Sequence, residues 1–357
     1  MKNQDTCLAP EVCRKHLDAT MSWLARAQRP LGGFSAFYSL FKGWSLPYPE
    51  TSGYIIETMS RYSSMDTPGE WQERIARAGA WLLNLQLPEG GFPAGYGTEG
   101  IPRVFNSGMI LFGLAKISRS SNDSRFKDAG LRTLAWLDRI QNEDGSWTIA
   151  SLEGQPHVYH SRVAWGMLEM AQTANVLDAY LPVIERANEW VVSQQNPDGW
   201  FEHNDLIQGL PPLTHNIAYT IRGLLECGHF LGRNKWLDSA VHAAHSVHAD
   251  WVSSGYLASG YGRNWQRGPS FRCVTGEAQF GLIWYRLWQI TGESHWLKAA
   301  NGIAQQVAQT QTLHHFMPGV QGGIPGAWPI WERYLRFSYP NWAAKFFADL
   351  LMYILGR

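Results

Sequence analysis

The chain has 357 residues, with 30 Lys and Arg against 30 Asp and Glu, so its formal net charge is zero. That balance leaves no electrostatic footprint for nucleic acid or an acidic membrane surface. Only 17% of residues are charged while 18 Trp, 14 Tyr and 15 Phe are present, the reverse of a disordered chain.

From the amino terminus, Met1 to Cys13 carries Lys2, Asp5 and Glu11 and no apolar stretch, unlike a secretory signal. No apolar run approaches the roughly 18 residues that span a bilayer. Cys7, Cys13, Cys227 and Cys273 lack metal-type spacing, so a reduced, cytoplasmic protein is expected.

A Trp-bearing amphipathic helix ending in Gln, then Gly and an aromatic, then a loop, recurs along the chain. The copies read WLARAQRPLGGF (23–34), WLLNLQLPEGGF (81–92), WLDRIQNEDGSW (136–147) and WVVSQQNPDGWF (190–201). A degenerate fifth runs from Trp236 through Trp251 to Gly255, and a sixth from Trp296 through Gln311 to Gly322 and Gly323. Gly33, Gly91, Gly145 and Gly199 stand 54 to 58 residues apart, the length of one helical hairpin. After each copy comes a second helix, apolar nearly all round: 52–62, 106–117, 161–171, 216–228, 276–288 and 341–354. Such helices are buried, whereas the Trp-bearing ones keep a charged face. The expectation is an all-α protein, an (α/α)6 toroid of six helical hairpins in one domain spanning 1–357.

Connections from outer to inner helices are long and rich in Gly and Pro; the return connections, such as LGRNK and TGES, are short. Long loops mark the functional face, which places a mouth at the inner-helix amino termini, where free N–H groups and helix dipoles favour an anion.

The run QNEDGSW (Gln141 to Trp147) matches the QxxDGxW repeat, and QNPDGWF, LPEGGF and RPLGGF are similar to it. The chain thus resembles the terpenoid cyclase and protein prenyltransferase toroids over its whole length. The resemblance implies that the Gln and Gly-aromatic pieces are structural ties, with Asp144 and Asp198 as turn residues. It does not extend to the chemistry. No DxDD run of the terpenoid cyclases occurs, and Cys227 and His229 lack the acid that completes the zinc site of the prenyltransferases. Similar toroids also serve polysaccharide lyases, glycuronan epimerases and glycoside hydrolases.

Aligning the inner helices puts Thr51, Asn106, Arg162, Asn216, Gly276 and Asn341 in one column, whose plainest role is helix N-capping. Around that column stand groups that do not cap: Glu50, Arg103, Tyr159, His160, His215, Tyr219, Glu277 and Tyr339. A hydrocarbon pocket penalises such polar groups, whereas sugars match them, with Trp44, Trp200 and Trp265 as ring platforms. The favoured reaction is β-elimination or C5 epimerisation of a uronate glycan. Arg103, Arg162 or Arg336 holds the carboxylate, Asn106, Asn216 and Tyr219 read hydroxyls, His160 or His215 takes the proton, and Tyr159 or Tyr339 returns one. The alternatives are glycoside hydrolysis by two acids among Glu50, Glu202, Asp205 and Glu277, a terpenoid cyclase-like or isoprenoid-binding protein, and a non-catalytic glycan-binding scaffold. No cofactor and no catalytic metal are expected; the His-rich stretches 242–250 and 312–316 suit incidental metal binding.

Overall fold

The computed structural model describes residues 8–65, 68–96, 100–207 and 209–356; Cys7 and the first part of the amino-terminal stretch lie outside them. The described residues form twelve α-helices in six consecutive hairpins. The pairs are α1 (Pro10–Ala27) with α2 (Pro49–Ser63), α3 (Pro68–Leu83) with α4 (Val104–Ser120), and α5 (Ser124–Arg139) with α6 (Ser161–Ala174). They continue with α7 (Leu177–Ser193) and α8 (Thr214–Leu231), α9 (Asn234–Ser254) and α10 (Val274–Thr291), then α11 (Ser294–Ala308) and α12 (Asn341–Ile354).

Even-numbered helices form the inner ring. Each packs on the next, and α12 returns to α2, which closes the (α/α)6 toroid. The helices approach closely because glycines face backbone: a Cβ at Gly113 would meet the Gly53 carbonyl oxygen at 2.3 Å, and one at Gly166 would meet that of Gly108 at 2.3 Å. No described helix is long and apolar enough to cross a membrane.

The repeated Gln ties each hairpin to the next. Gln28 Nε2 donates to Gly32 O (2.9 Å) and to Arg74 O on α3 (2.8 Å); Gln86, Gln141 and Gln195 repeat the pattern onto α5, α7 and α9. Gln311 closes the ring onto α1, donating to Gly322 O (2.8 Å) and Thr20 Oγ1 (2.8 Å). The fifth turn lacks this Gln, and there Gln306 of α11 reaches back to Gly255 O at 2.7 Å. Asp144 and Asp198 accept turn hydrogen bonds from the backbone N–H groups of Ser146 and Trp200. Their role as turn residues therefore holds.

N-capping by the aligned column does not occur: no inner helix has a side-chain cap. Thr51, Asn106 and Asn216 are the third residues of their helices, past the cap position, and their neighbours bond outward instead. Ser52 and Ser107 hydroxyls accept from the backbone N–H of Phe34 and Phe92 (2.9 Å each), tying each inner helix to its Gly-aromatic turn. Asn341 Nδ2 donates to Ser35 O and Thr51 Oγ1, both at 2.8 Å.

Short strands, unexpected in a helical repeat, zip the mouth loops together. β1 (Phe37–Ser39) pairs antiparallel with β2 (Gly43–Trp44) and with β5 (Ser338–Pro340), which joins the first loop to the last. β3 (Arg272–Cys273) pairs with β4 (Ala327–Trp328). Such long-range pairings leave no periodic mark in short segments.

Candidate active-site cavity

Two cavities lie at opposite ends of the inner ring. The mouth cavity, about 370 Å³, is walled at the amino ends of α2, α4, α6, α8 and α12. Tyr48, Phe105, Tyr159, Tyr219, Tyr334 and Trp342 line it. Tyr219 packs on Phe105 with centroids 5.1 Å apart, Tyr159 meets the same ring edge-on at 5.2 Å, and the Tyr334 hydroxyl accepts from Trp342 Nε1 at 2.8 Å.

Glu50 lies in the first turn of α2, just after Pro49. Burial raises its carboxyl to about 7, and the Tyr48 hydroxyl and the charge of Arg162 offset that rise only in part. The desolvation penalty on the ionised form outweighs the helix amino end. Arg103, immediately before α4, is half-buried and donates to Ser151 O at 2.5 Å.

Tyr159 and His160 come from a 3-10 turn, Val158–His160, that leads into α6. The His157 ring stacks on Tyr159 at 4.6 Å. His160 is 3% exposed, and burial and then His157 hold its pKa well below the usual range. His215, on the first turn of α8, packs between Tyr219 (5.5 Å) and Tyr334 (5.4 Å), and burial lowers it to about 3. Both imidazoles are neutral at pH 7. Neither ring nitrogen of His215, nor His160 Nδ1, nor Asn216 Oδ1, has a protein partner among the described residues. Buried polar atoms left open in one cavity are expected to meet a ligand or water.

Eight expected residues thus line one space: Glu50, Arg103, Asn106, Tyr159, His160, His215, Asn216 and Tyr219. The others stand elsewhere. Glu277 is fully buried in a two-pronged ion pair with Arg272 (2.6 Å each). Tyr339 pairs with Tyr38 on β5, and Trp44 on β2 packs against Trp23 at 5.1 Å. Trp200 and Trp265 brace loops through Tyr261 O and Asp198 O. Arg336 is exposed off the cavity wall, and Arg162 lines the opposite cavity. Glu202 pairs with Arg263, and Asp205 accepts from the Gly209 N–H. Of the four acids weighed for hydrolysis, only Glu50 lines the mouth. Sequence reasoning missed Tyr334 and Trp342; Trp342 follows the aligned Asn341, so register was its available signal.

Cys13, Cys227 and Cys273 are buried. His245, Glu293 and His295 bring ligand atoms within 4.8 Å of one another on outer helices, away from both cavities.

Fold and site together define a six-hairpin toroid with one aromatic-walled cavity that can hold and move a proton. The sequence model of the squalene-hopene cyclase C-terminal domain matches residues 44–222, half of the chain, and the chain belongs to that family. It is 25% identical over 209 residues to the drimenyl diphosphate synthase of Streptomyces showdoensis, which covers 58% of this chain and 36% of that protein. To the squalene–hopene cyclase of Bradyrhizobium diazoefficiens it is 24% identical over 219 residues, 55% of this chain and 31% of the relative. The match therefore spans about a third of those relatives' length. Among solved structures, a D-mannose isomerase superposes with TM-score 0.74 at 12% identity, covering 97% of each chain. The cellobiose 2-epimerase of Spirochaeta thermophila gives 0.74 at 14%, covering 97% of this chain and 96% of that one. A heparin-specific unsaturated glucuronyl hydrolase gives 0.73 at 14%, covering 96% of each. These likenesses show the toroid fold.

Proposed function

We propose that the chain is a carbohydrate-active enzyme whose mouth cavity moves a proton at a sugar carbon of an acidic glycan, as a lyase or epimerase. The observation that carries this reading is a carboxyl poised near pH 7, Glu50, sharing one cavity with Arg103 and two neutral imidazoles that have open ring nitrogens. A proton carrier works best when its pKa lies near the operating pH. Glu50 meets that condition and His215, at about 3, does not.

In this reading Arg103 holds the substrate carboxylate, which acidifies the adjacent C–H. Glu50 in its ionised form takes that proton. His160 and His215, neutral, donate or accept hydrogen bonds at hydroxyls, and Asn106 and Asn216 read the ring. Tyr159, whose phenol burial keeps protonated, supplies a proton to the leaving oxygen or to the opposite face. Among the described residues Glu50 is the one acid on this cavity wall, and this favours proton transfer over hydrolysis by paired carboxylates.

A second reading, protonation of an isoprenoid, draws on the family membership and on the aromatic wall, since ring faces favour cationic carbon and a carboxyl near 7 is half protonated at neutral pH. One experiment separates the two. Uronate oligosaccharides and isoprenoid substrates are incubated with the protein in deuterium oxide. Deuterium at a sugar carbon, or an unsaturated product absorbing in the ultraviolet, supports the first reading. Deuterium only in a cyclised hydrocarbon overturns it in favour of the second.

A further inference from the structure

Below the mouth and open at the opposite end of the ring, side chains of the inner helices α2, α6, α8, α10 and α12 enclose a second cavity of about 400 Å³. Its walls are charged, and most of the charges are matched. Lys345 pairs with Asp349, which also accepts from Thr58 Oγ1 at 2.8 Å. Glu226 takes both Arg222 (2.7 Å) and Arg286 (3.1 Å). Arg61 meets Glu57 at 3.3 Å, and Glu169 is held by Arg119 at 2.7 Å. Each acid on the wall therefore already has a cation, and Glu226 has two.

Arg162 is left over. It is 4% exposed and lies over four ring faces: Trp165 at 5.0 Å, Tyr219 at 5.1 Å, Phe346 at 5.3 Å and Phe112 at 5.4 Å. Its one hydrogen bond among the described residues runs from Nε to Met109 Sδ at 3.3 Å. Ring faces attract the charge but accept no conventional hydrogen bond from the Nη groups. Gln279, 4% exposed and on the same wall, stands near the Tyr219 hydroxyl but makes no close hydrogen bond at either amide atom among the described residues. A buried guanidinium with no carboxylate in ion-pair contact, beside a buried amide with no close hydrogen bond, is costly to fold around.

We infer that this basal cavity is a second ligand site, which binds a small hydroxycarboxylate. The carboxylate pairs with the Arg162 Nη groups and the neighbouring hydroxyl bonds to the Gln279 amide. The planar fork of a guanidinium matches a carboxylate in two parallel hydrogen bonds, and an amide offers both a donor and an acceptor to a hydroxyl. The surplus of cations over acids favours an anion. The half-buried rim residues Arg61, Glu57 and Arg286 leave the cavity open to solvent. This site is inferred independently of the reaction proposed for the mouth, although the Arg162 charge also reaches Glu50.

The test is calorimetric titration of the full chain with lactate, and with propionate, which lacks the hydroxyl. The wild-type protein should bind lactate, Arg162→Met should weaken it by about tenfold or more, and Gln279→Leu should bring lactate down to the affinity of propionate. Arg162→Lys, which keeps the charge but not the fork, guards against a folding defect and should also weaken binding. Arg103→Met, at the mouth, should leave the titration unchanged. Failure of wild type to bind lactate, or loss of binding in Arg103→Met with retention in Arg162→Met, overturns the proposal without touching the mouth assay.

Discussion

The two ends of the inner ring are built from the same helices and solve burial in opposite ways. At the amino ends, polar groups stand among aromatic rings with few partners: one carboxyl near 7, imidazoles that stay neutral, and atoms of His160, His215 and Asn216 left open. At the carboxyl ends nearly every charge is answered by another, in the Lys345–Asp349 pair and the Arg222–Glu226–Arg286 triad. Lys345–Asp349 and Arg222–Glu226 pair within one helix and Arg286 ties α10 to Glu226 on α8, whereas unpaired, desolvated groups cluster where pKa values are shifted. The comparison teaches that burial at the mouth leaves polar groups open, as the proposed function requires, while burial at the base pairs them, with Arg162 the exception.

The hardest test of that division is Glu50→Gln. It should cut turnover by about 10³, and in wild type the rate should climb with pH through about 7, the value for Glu50. The same carboxyl sets a pH effect on stability. Its folded value lies above the 4.5 of the free side chain, so between the two the native state binds the extra proton. Stability then falls as pH rises from about 4.5 to about 7 and is flat beyond. Thermal melts of Glu50→Gln should therefore gain on wild type across that window, and a constant offset would remove Glu50 from the mouth's chemistry.

Asp349→Asn probes the base. Leaving Lys345 buried without its carboxylate should cost about 3 kcal/mol in urea denaturation, while turnover per folded molecule stays near wild type. A catalytic collapse at unchanged stability would dissolve the contrast. His215→Ala should lower turnover by about 10², a smaller loss than at Glu50, because a neutral imidazole positions substrate and carries no proton; a flat response would return that cavity wall to packing. Smallest is Gln306→Ala, expected to cost about 1 kcal/mol, as should Gln195→Ala, since each amide supplies the same tie from opposite sides of a turn.

The hairpin count and the mouth end were legible because they are written in spacing. Gln, Gly and Trp recur at one helical-hairpin period, and a positive-φ turn such as Gly145, at φ 93° with its would-be Cβ 2.2 Å from Arg186 O, admits little besides Gly. Side-chain fate was less legible. Arg162 shares a register with Asn106 and Asn216, yet its longer side chain runs down the ring to Phe112 and Phe346. Glu277 shares the mouth-end turn of α10, yet Arg272 captures it. Trp44 read as a ring platform and Tyr339 as a proton donor until β1 drew both into one small sheet.

By itself the sequence determined the periodic part of this protein: six hairpins, an apolar inner ring and an outer ring with a charged face, and a loop-rich end, all of which follow from local helical pattern and turn chemistry. Only the tertiary structure decided which polar groups stay alone, which pair, and which carboxyl rests near neutral pH. Those outcomes depend on burial and on partners contributed by distant segments, and no spacing along one chain records a through-space neighbour.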